Sequence, residues 1–292
     1  MSDRIRCTIT DGVADVRLIR ADKMNALDVQ MFAALVETGQ RLCHEPGLRA
    51  VVISGEGRAF CAGLDMGRFA AMAQGNPSGA TVNGADGVKN ATGANSASGK
   101  PPLSTAMRLG ERTHGIANSS QQAVMVWQQI PVPVIAAVHG FALGGGFQVA
   151  LGADIRLVTA DAKMSILEVK WGLVPDMGGV LLMRRLARAD VIRELTFTGR
   201  VFSGQEAVQY GFATRVCADP YADALTMARD IASKSPHAVR AAKRLLKLGE
   251  DGTPAQVLQA ESDEQIPLMG SANQVEAVKA GLQKRVAKFL DA

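Results

Sequence analysis

The feature of the sequence best suited to chemistry is a turn of three adjacent glycines, Gly144–Gly146, that follows the apolar run 132–138. The run has the pattern of a buried strand, and the small and apolar residues 147–152 favour a helix directly after the glycines. A strand that ends in such a turn leaves backbone N–H groups unpaired at the start of the helix. These donors suit an anion, or an oxygen that gains negative charge during a reaction. The alternative is a tight turn for close helix–strand packing, and neither common nucleotide-binding glycine pattern fits.

The elements that position this turn alternate between strands and helices. Apolar and alternating stretches predict strands at 4–10, 13–19, 50–54 and 134–138. Asp11–Gly12 is a hairpin signal between the first two strands, and Asn25 or Asp28 can cap a helix that follows them. The alternation predicts an α/β core over residues 1–217.

Two stretches depart from this alternation. Residues 74–102 are rich in Gly, Asn, Ser and Ala, which predicts a flexible insertion, and a helix is expected from Thr105 to Gln129. Ser203 is a candidate cap for a later helix. The region 218–292 has an almost wholly helical pattern, with helices predicted at 221–234, 236–248, 253–265 and 271–291.

Composition narrows the classes of protein. The chain has 292 residues, a net charge of +4 without dense basic runs, and 4% aromatic residues, so nucleic acid is not expected as a partner. The four cysteines and four histidines lack metal-ligand spacing, which argues against a metal site and favours a reducing compartment. No apolar run approaches the length of a membrane span, and no targeting segment is visible, so a cytoplasmic location without membrane association is expected.

Four segments together carry a family pattern. They are Asn25-Ala-Leu-Asp28, Phe60-Cys-Ala-Gly-Leu-Asp65, Gly140 to Gln148 around the glycine turn, and Glu168 to Gly179. In order and spacing the sequence resembles the crotonase superfamily, which includes enoyl-CoA hydratases and isomerases. The resemblance implies an α/β fold built as a spiral of β-β-α turns. It also implies a C-terminal helical region, 218–292, that assembles the chain into a trimer or a dimer of trimers.

The resemblance further implies an acyl-CoA substrate and an oxyanion hole. In the family two backbone N–H groups hold the thioester carbonyl oxygen, and by position these belong to Leu64 and Gly145. The positions expected to bind coenzyme A and substrate are Lys23, Ala26, Leu27, Ala62, Gly63, Asp65 and Gly144. No separate cofactor is expected, because coenzyme A enters as part of the substrate.

The acid/base positions depart from the hydratase pattern. Hydratases of the family use two glutamates, and the matching positions here hold Gln148 and Glu168. An amide cannot exchange a proton at neutral pH, so Glu168 is predicted to be the main acid/base. Asp176 matches an aspartate of the family's dienoyl-CoA isomerases, but their other carboxylate partner stands at the position that Gln148 fills here. An Asp between Pro and Gly-Gly is also a good helix cap. These three residues form the predicted catalytic set.

The sequence therefore predicts an enzyme of fatty-acid metabolism, as in β-oxidation, that isomerises or hydrates an unsaturated acyl-CoA. Isomerisation is favoured on chemical grounds, because one base suffices for a double-bond shift. The alternatives are an acyl-CoA-binding protein of weak activity and, least favoured, an RNA-binding relative. Side chains considered for the acyl pocket, each also suited to ordinary core packing, are Phe69, Met72, Met107, Trp127 and Trp171.

Overall fold

The strands of the protein form two sheets in a computed structural model that describes residues 3–73 and 109–292, without the side chains of 69 and 71–73. The strands are β1 Ile5–Thr10, β2 Val13–Leu18, β3 Ala50–Gly55, β4 Val134–Val138, β5 Phe141–Leu143, β6 Ile155–Val158, β7 Lys163–Ser165, β8 Phe202–Ser203 and β9 Arg215–Val216. The larger sheet has the order β1-β2-β3-β4-β6-β9, and the smaller has the order β5-β7-β8. In the larger sheet β1 and β2 are antiparallel around the predicted turn at Asp11–Gly12, and each later pair, β2–β3, β3–β4, β4–β6 and β6–β9, is parallel.

The helices follow the strands along the chain. They are α1 Val29–Cys43, α2 Met66–Ala73, α3 Ser119–Gln129, α4 Gly145–Leu151, α5 Gly179–Met183, α6 Ala189–Thr198, α7 Gly204–Tyr210, α8 Pro220–Ala232, α9 Pro236–Gly249, α10 Pro254–Gln265 and α11 Ala272–Leu282. In the unit β4-β5-α4 a long strand of the large sheet leads into a short strand of the small sheet and then a helix. The strands β6 and β7 repeat the first part of this pattern, which confirms the predicted spiral of β-β-α turns.

Helices cover both faces of the large sheet, which explains why β3 and β4 are buried along their whole length. Val51 and Ala136 belong to the main core with α1, α3 and α4, whereas Val52 and Ile135 pack with α8 on the other face. α8 presents a row of small residues to the sheet: Ala224, Ala228 and Ala232. This helix is therefore part of the layered core, and α9 to α11 remain as the outer helices of the C-terminal region.

Two predicted helix boundaries are wrong. The helix expected from Thr105 starts at Ser119, because Asn118 forms a capping box with Gln121 and residues 109–118 form turns and bends. The final helix ends at Leu282 rather than at 291. Beyond it the chain turns back, and the Asp291 carboxylate pairs with Arg49 on the core.

The insertion predicted at 74–102 lies outside the described residues. Of the helices that the structure does describe, none has both the length and the apolar character needed to cross a bilayer.

Candidate active site

The predicted segments meet around a cavity of about 490 Å³. The glycine turn before α4 and the loop before α2 form one side, and the segment from Leu167 to Met177 forms another. The cavity is lined by Lys23, Met24, Ala26, Leu27, Phe32, Ala62, Gly63, Leu64, Met66, Leu109, Ser120, Leu143, Gly144, Gly145, Leu167, Glu168, Trp171, Leu173, Val174, Asp176 and Met177. Most of these side chains are apolar, and two are carboxylates. The arrangement suits an apolar chain with chemistry near one end.

Two backbone amides on the cavity wall are available as donors. In the described part of the chain, the N–H groups of Leu64 and Gly145 donate no hydrogen bond to a backbone or side-chain acceptor. The neighbouring groups are engaged: Leu27 donates to the Gly63 carbonyl at 2.7 Å, and Asp65 donates to the Leu27 carbonyl at 3.2 Å. The two predicted oxyanion donors thus belong to different segments that line the same space.

Main-chain contacts hold these two segments together. Cys61 forms a parallel bridge with Ala142 and donates its amide to the Phe141 carbonyl at 3.0 Å. A Cβ on Gly146 would overlap the Cys61 carbonyl, so only glycine allows this approach. The spacing of the two donors is therefore fixed by backbone packing.

Glu168 begins a short 3₁₀ turn, Glu168–Trp171, just after β7. Its Oε1 accepts a hydrogen bond from the Gln148 side-chain amide at 2.7 Å. Its Oε2 is buried and accepts no hydrogen bond from the described residues. Burial raises the pKa of Glu168 above its usual value, and Asp176 acts in the same direction, while the Gln148 amide opposes the shift. A raised pKa suits a group that must both take and return a proton.

Asp176 also lines the cavity, at a point where the residue is exposed. The alternative that Asp176 is the N-cap of α5 is wrong, because the N-cap is Gly178, two residues further along the chain. Although the residue as a whole is exposed, the surrounding cavity wall partly desolvates its carboxyl and raises the pKa of Asp176, and the positive charge of Arg68 opposes this. Arg68 is 5% exposed, and its three guanidinium nitrogens donate no hydrogen bond to the described residues.

The expected coenzyme A positions fall into two groups. Six of them line the cavity: Lys23, Ala26, Leu27, Ala62, Gly63 and Gly144. Asp65 does not, because its carboxylate pairs with Arg20 at 2.5 Å and accepts from the Gly67 amide at 2.8 Å. Although burial raises the pKa of Asp65, these hydrogen bonds hold it below its usual value. Asp65 therefore orders the start of α2.

Of the side chains considered for the acyl pocket, Trp171 lines the cavity. Trp127 is fully buried and donates to the Ala123 carbonyl, so it belongs to the core. Phe69, Met72 and Met107 lie outside the residues whose side chains are described.

Sequence reasoning missed several wall residues, among them Phe32, Leu173, Val174 and Met177. The last three stand within the segment 168–179, so their position beside Asp176 was a usable signal.

A second cavity, of about 600 Å³, lies between α9 and the end of the chain. Its two acidic side chains, Glu264 and Asp291, are paired with Arg244 and Arg49. It contains none of the predicted site residues.

The described residues contain no group of three or more His, Cys, Asp or Glu side chains that could hold a metal ion. Burial raises the pKa of Cys61 to about 12, so its thiol is protonated and is no nucleophile.

Comparison with known proteins gives a consistent result. The family model described as enoyl-CoA hydratase/isomerase matches residues 8–92 and 102–291. The chain is similar to the mitochondrial Delta(3,5)-Delta(2,4)-dienoyl-CoA isomerase of Mus musculus, with 30% identity over 95% of this chain and 79% of that protein. It is also similar to the carnitinyl-CoA dehydratase of Proteus mirabilis, with 31% identity over 85% of this chain and 81% of that protein.

Among solved structures, an enoyl-CoA hydratase from Bacillus anthracis superposes with a TM-score of 0.80. It is 26% identical and covers 98% of this chain and 99% of that chain. An enoyl-CoA hydratase from Polaromonas sp. JS666 gives a TM-score of 0.78, also at 26% identity, and covers 98% and 99% of the two chains.

Proposed function

The chain belongs to the enoyl-CoA hydratase/isomerase family, and we propose that it shifts a double bond along an unsaturated acyl-CoA thioester. It is an enzyme of the crotonase type, as the sequence predicted. The proposed reaction rests on one observation. Two carboxylates, Glu168 and Asp176, line the same cavity as two backbone amides that donate no hydrogen bond to the described residues. Gln148, at the position of a hydratase glutamate, is 1% exposed and is not among the residues that line the cavity.

The first step is activation of the thioester. The carbonyl oxygen accepts hydrogen bonds from the Leu64 and Gly145 amides, which stabilise the negative charge that develops when the α-carbon loses a proton. Removing one such donor typically raises the activation barrier by about 3–4 kcal/mol. Because both donors are main-chain atoms, most side-chain changes around the cavity leave them in place.

The second step is proton transfer. Glu168 takes a proton from C2 of a 3-enoyl thioester, which breaks the C2–H bond and gives an enolate. As the carbonyl reforms, the double bond moves from C3–C4 to C2–C3 and a proton is delivered to C4. The overall reaction consumes no water and no redox partner, so atoms and electrons balance with the carboxylate restored.

A second carboxylate extends this chemistry to a conjugated 3,5-diene. There the proton leaves C2 and returns at C6, a separation that one carboxylate does not span, and Asp176 supplies the second group. Support comes from the relatives named Delta(3,5)-Delta(2,4)-dienoyl-CoA isomerase, which are 28–30% identical to this chain. The dienoyl thioester is therefore the substrate class we favour.

Hydration is the second candidate. The same pair of carboxylates could activate a water and protonate C2, and relatives named (E)-benzylidenesuccinyl-CoA hydratase and carnitinyl-CoA dehydratase are 29% and 31% identical. Against it, Gln148 replaces one of the two glutamates that family hydratases use, so Asp176 would have to take over that role.

The test compares three thioesters with purified protein. A 3-enoyl-CoA should gain the ultraviolet band of the conjugated 2-enoyl product, and a 3,5-dienoyl-CoA should gain the longer-wavelength band of the 2,4-dienoyl product. Loss of the enoyl band of crotonyl-CoA, without either gain, indicates hydration instead. Tight binding of all three without turnover indicates an acyl-CoA-binding protein.

The oligomeric state is part of this proposal. Large apolar side chains are exposed along the outer C-terminal helices and the segment after them: Leu246, Leu258, Ile266, Met269, Leu282 and Val286. Exposed apolar surface on this scale favours burial against another subunit, and we propose a homotrimer or a dimer of trimers. Light scattering coupled to size-exclusion chromatography tests this, and a monomer at micromolar concentration contradicts it.

A further inference from the structure

The orientation of the Gln148 side chain is set by its neighbours. Its oxygen accepts hydrogen bonds from the backbone amides of Met177, at 3.0 Å, and Gly179, at 2.9 Å. A reversed amide would point N–H groups at two N–H donors, so the oxygen must face this segment. The amide nitrogen consequently faces Glu168 and donates to its Oε1 at 2.7 Å.

This contact distinguishes the two oxygens of Glu168. Oε1 accepts a hydrogen bond from the Gln148 amide, which makes protonation of this oxygen less favourable. Oε2 is buried and accepts no hydrogen bond from the described residues. When the carboxyl is protonated, the proton is therefore favoured on Oε2, the oxygen to which Gln148 does not donate.

The same amide also fixes the chain around Asp176. Met177 and Gly179 are one and three residues after Asp176, and the backbone amides of both donate to Gln148. The Asp176 side chain makes no capping contact with α5 that would hold it otherwise. Since Gln148 is buried and is not among the cavity-lining residues, it can act on a substrate only through its neighbours.

We propose that Gln148 is a positioning residue whose single amide joins the Glu168 carboxylate to the segment that carries Asp176, and so sets both proton-transfer groups at once. This rests on the proposed function, since both carboxylates matter only if protons move between them and an acyl-CoA. A glutamine is required here because the position needs an acceptor for two amides and a donor to a carboxylate.

Two substitutions test the proposal. Gln148→Met keeps the length of the side chain and removes the three hydrogen bonds. Gln148→Glu keeps an acceptor for Met177 and Gly179 but places a second carboxylate within hydrogen-bond distance of Glu168. The matched control is Gln122→Met, which removes another buried glutamine, bonded to Gln129 at 2.9 Å and not part of the cavity wall.

The main readout is the pH profile of kcat/KM for double-bond shift. Gln148→Met removes a donor to the charged form of Glu168, so the acidic limb should move upward by about one pH unit. Gln148→Glu should move it further, because two close carboxylates share one proton. Two other charges affect these groups and are unchanged in every variant. The charge of Asp176 raises the pKa of Glu168, and the charge of Arg68 lowers the pKa of Asp176. The loss of kcat in Gln148→Met should be larger for a 3,5-dienoyl than for a 3-enoyl thioester.

An acidic limb that stays in place in both Gln148 variants, as in Gln122→Met, overturns the proposal. If the wild-type protein turns over no unsaturated thioester, the proposed function fails, and thermal unfolding then decides on Gln148 by itself. In that measurement the contribution of Glu168 to the stability of the wild-type protein is lost as pH rises above about 4, the ordinary pKa of a glutamate. The loss should be greater in Gln148→Met, and an equal loss contradicts the positioning role.

Discussion

Replacing Glu168 by glutamine is expected to remove activity and raise stability at the same time. The glutamine oxygen can accept from Gln148 as the carboxylate does now, so the substitution imitates the protonated side chain. It cannot remove a proton from carbon, and loss of a general base in a buried site lowers kcat by about 10²–10⁴-fold. With Asp176 as the remaining carboxylate, we expect a loss of about 10³-fold or more.

The gain in stability follows from the raised pKa of Glu168. A carboxyl whose pKa is higher in the folded than in the unfolded protein binds its proton more tightly when folded. Its contribution to stability is complete below the unfolded pKa and is lost as pH rises through the folded pKa. Each unit of difference between the folded and unfolded pKa corresponds to about 1.4 kcal/mol of folding stability that is lost at pH values above both pKa values.

The Glu168→Gln variant does not lose this contribution. Its melting temperature should match that of the wild-type protein near pH 4 and exceed it at pH 7. For a chain of 292 residues, the excess should be about 2–3 °C per pKa unit.

Calorimetry at the two pH values and the dienoyl-CoA assay measure both effects. The control is Glu37→Gln, the same chemical change at an exposed position on α1. It should leave both quantities unchanged. The reasoning is refuted if Glu168→Gln keeps more than a tenth of the activity, or melts below the wild-type protein at pH 7.

Three further substitutions probe the site and the fold. Asp176→Asn should abolish dienoyl isomerisation while keeping at least a tenth of 3-enoyl isomerisation, and equal losses on both substrates would place Asp176 in the first proton transfer. In Gly145→Ala the added methyl stands 2.8 and 2.9 Å from two side chains of the cavity wall, so kcat should fall by about 10–100-fold as the amide shifts; unchanged kcat argues against this donor. Lys243→Met removes the partner of Asp154 at 2.6 Å, and a loss of about 2–4 kcal/mol is expected in denaturant unfolding with kcat unchanged, since a half-buried carboxylate loses its cation.

Local signals were sufficient to predict most of the elements. The hairpin turn at Asp11–Gly12 and the capping box of Ser203 are both present. Of the two candidate caps for α1, Asp28 accepts from the Met31 amide, whereas Asn25 is buried and donates to the Ala59 carbonyl. The hairpin turn, the capping box and the Asp28 cap are interactions within a few residues, which short sequence patterns describe well.

The sequence contains a signal for the true start of α3, but the composition of the preceding residues obscured it. Asn118 and Gln121 form a capping box, and that spacing was visible in the sequence. The helix-compatible residues after Thr105 outweighed it, because helix propensity alone does not locate a boundary.

Contacts between distant segments could not be predicted in this way. The double role of Gln148 depends on Glu168 and on Met177, twenty and twenty-nine residues further along the chain. Arg68, which acts on Asp176 through its charge, lies more than a hundred residues earlier in the sequence. Their arrangement follows from the spiral of strands, and only the folded chain brings these groups together.

The backbone bridge between Cys61 and Ala142 has a consequence for how such a protein can diversify. In the proposed mechanism backbone N–H groups polarise the thioester, whereas side chains such as Phe32 and Val174 form the cavity wall that faces the acyl chain. Mutations can therefore change the side chains of the cavity wall without removing the backbone donors. One fold can acquire new substrates over evolutionary time while the arrangement of its backbone donors stays constant.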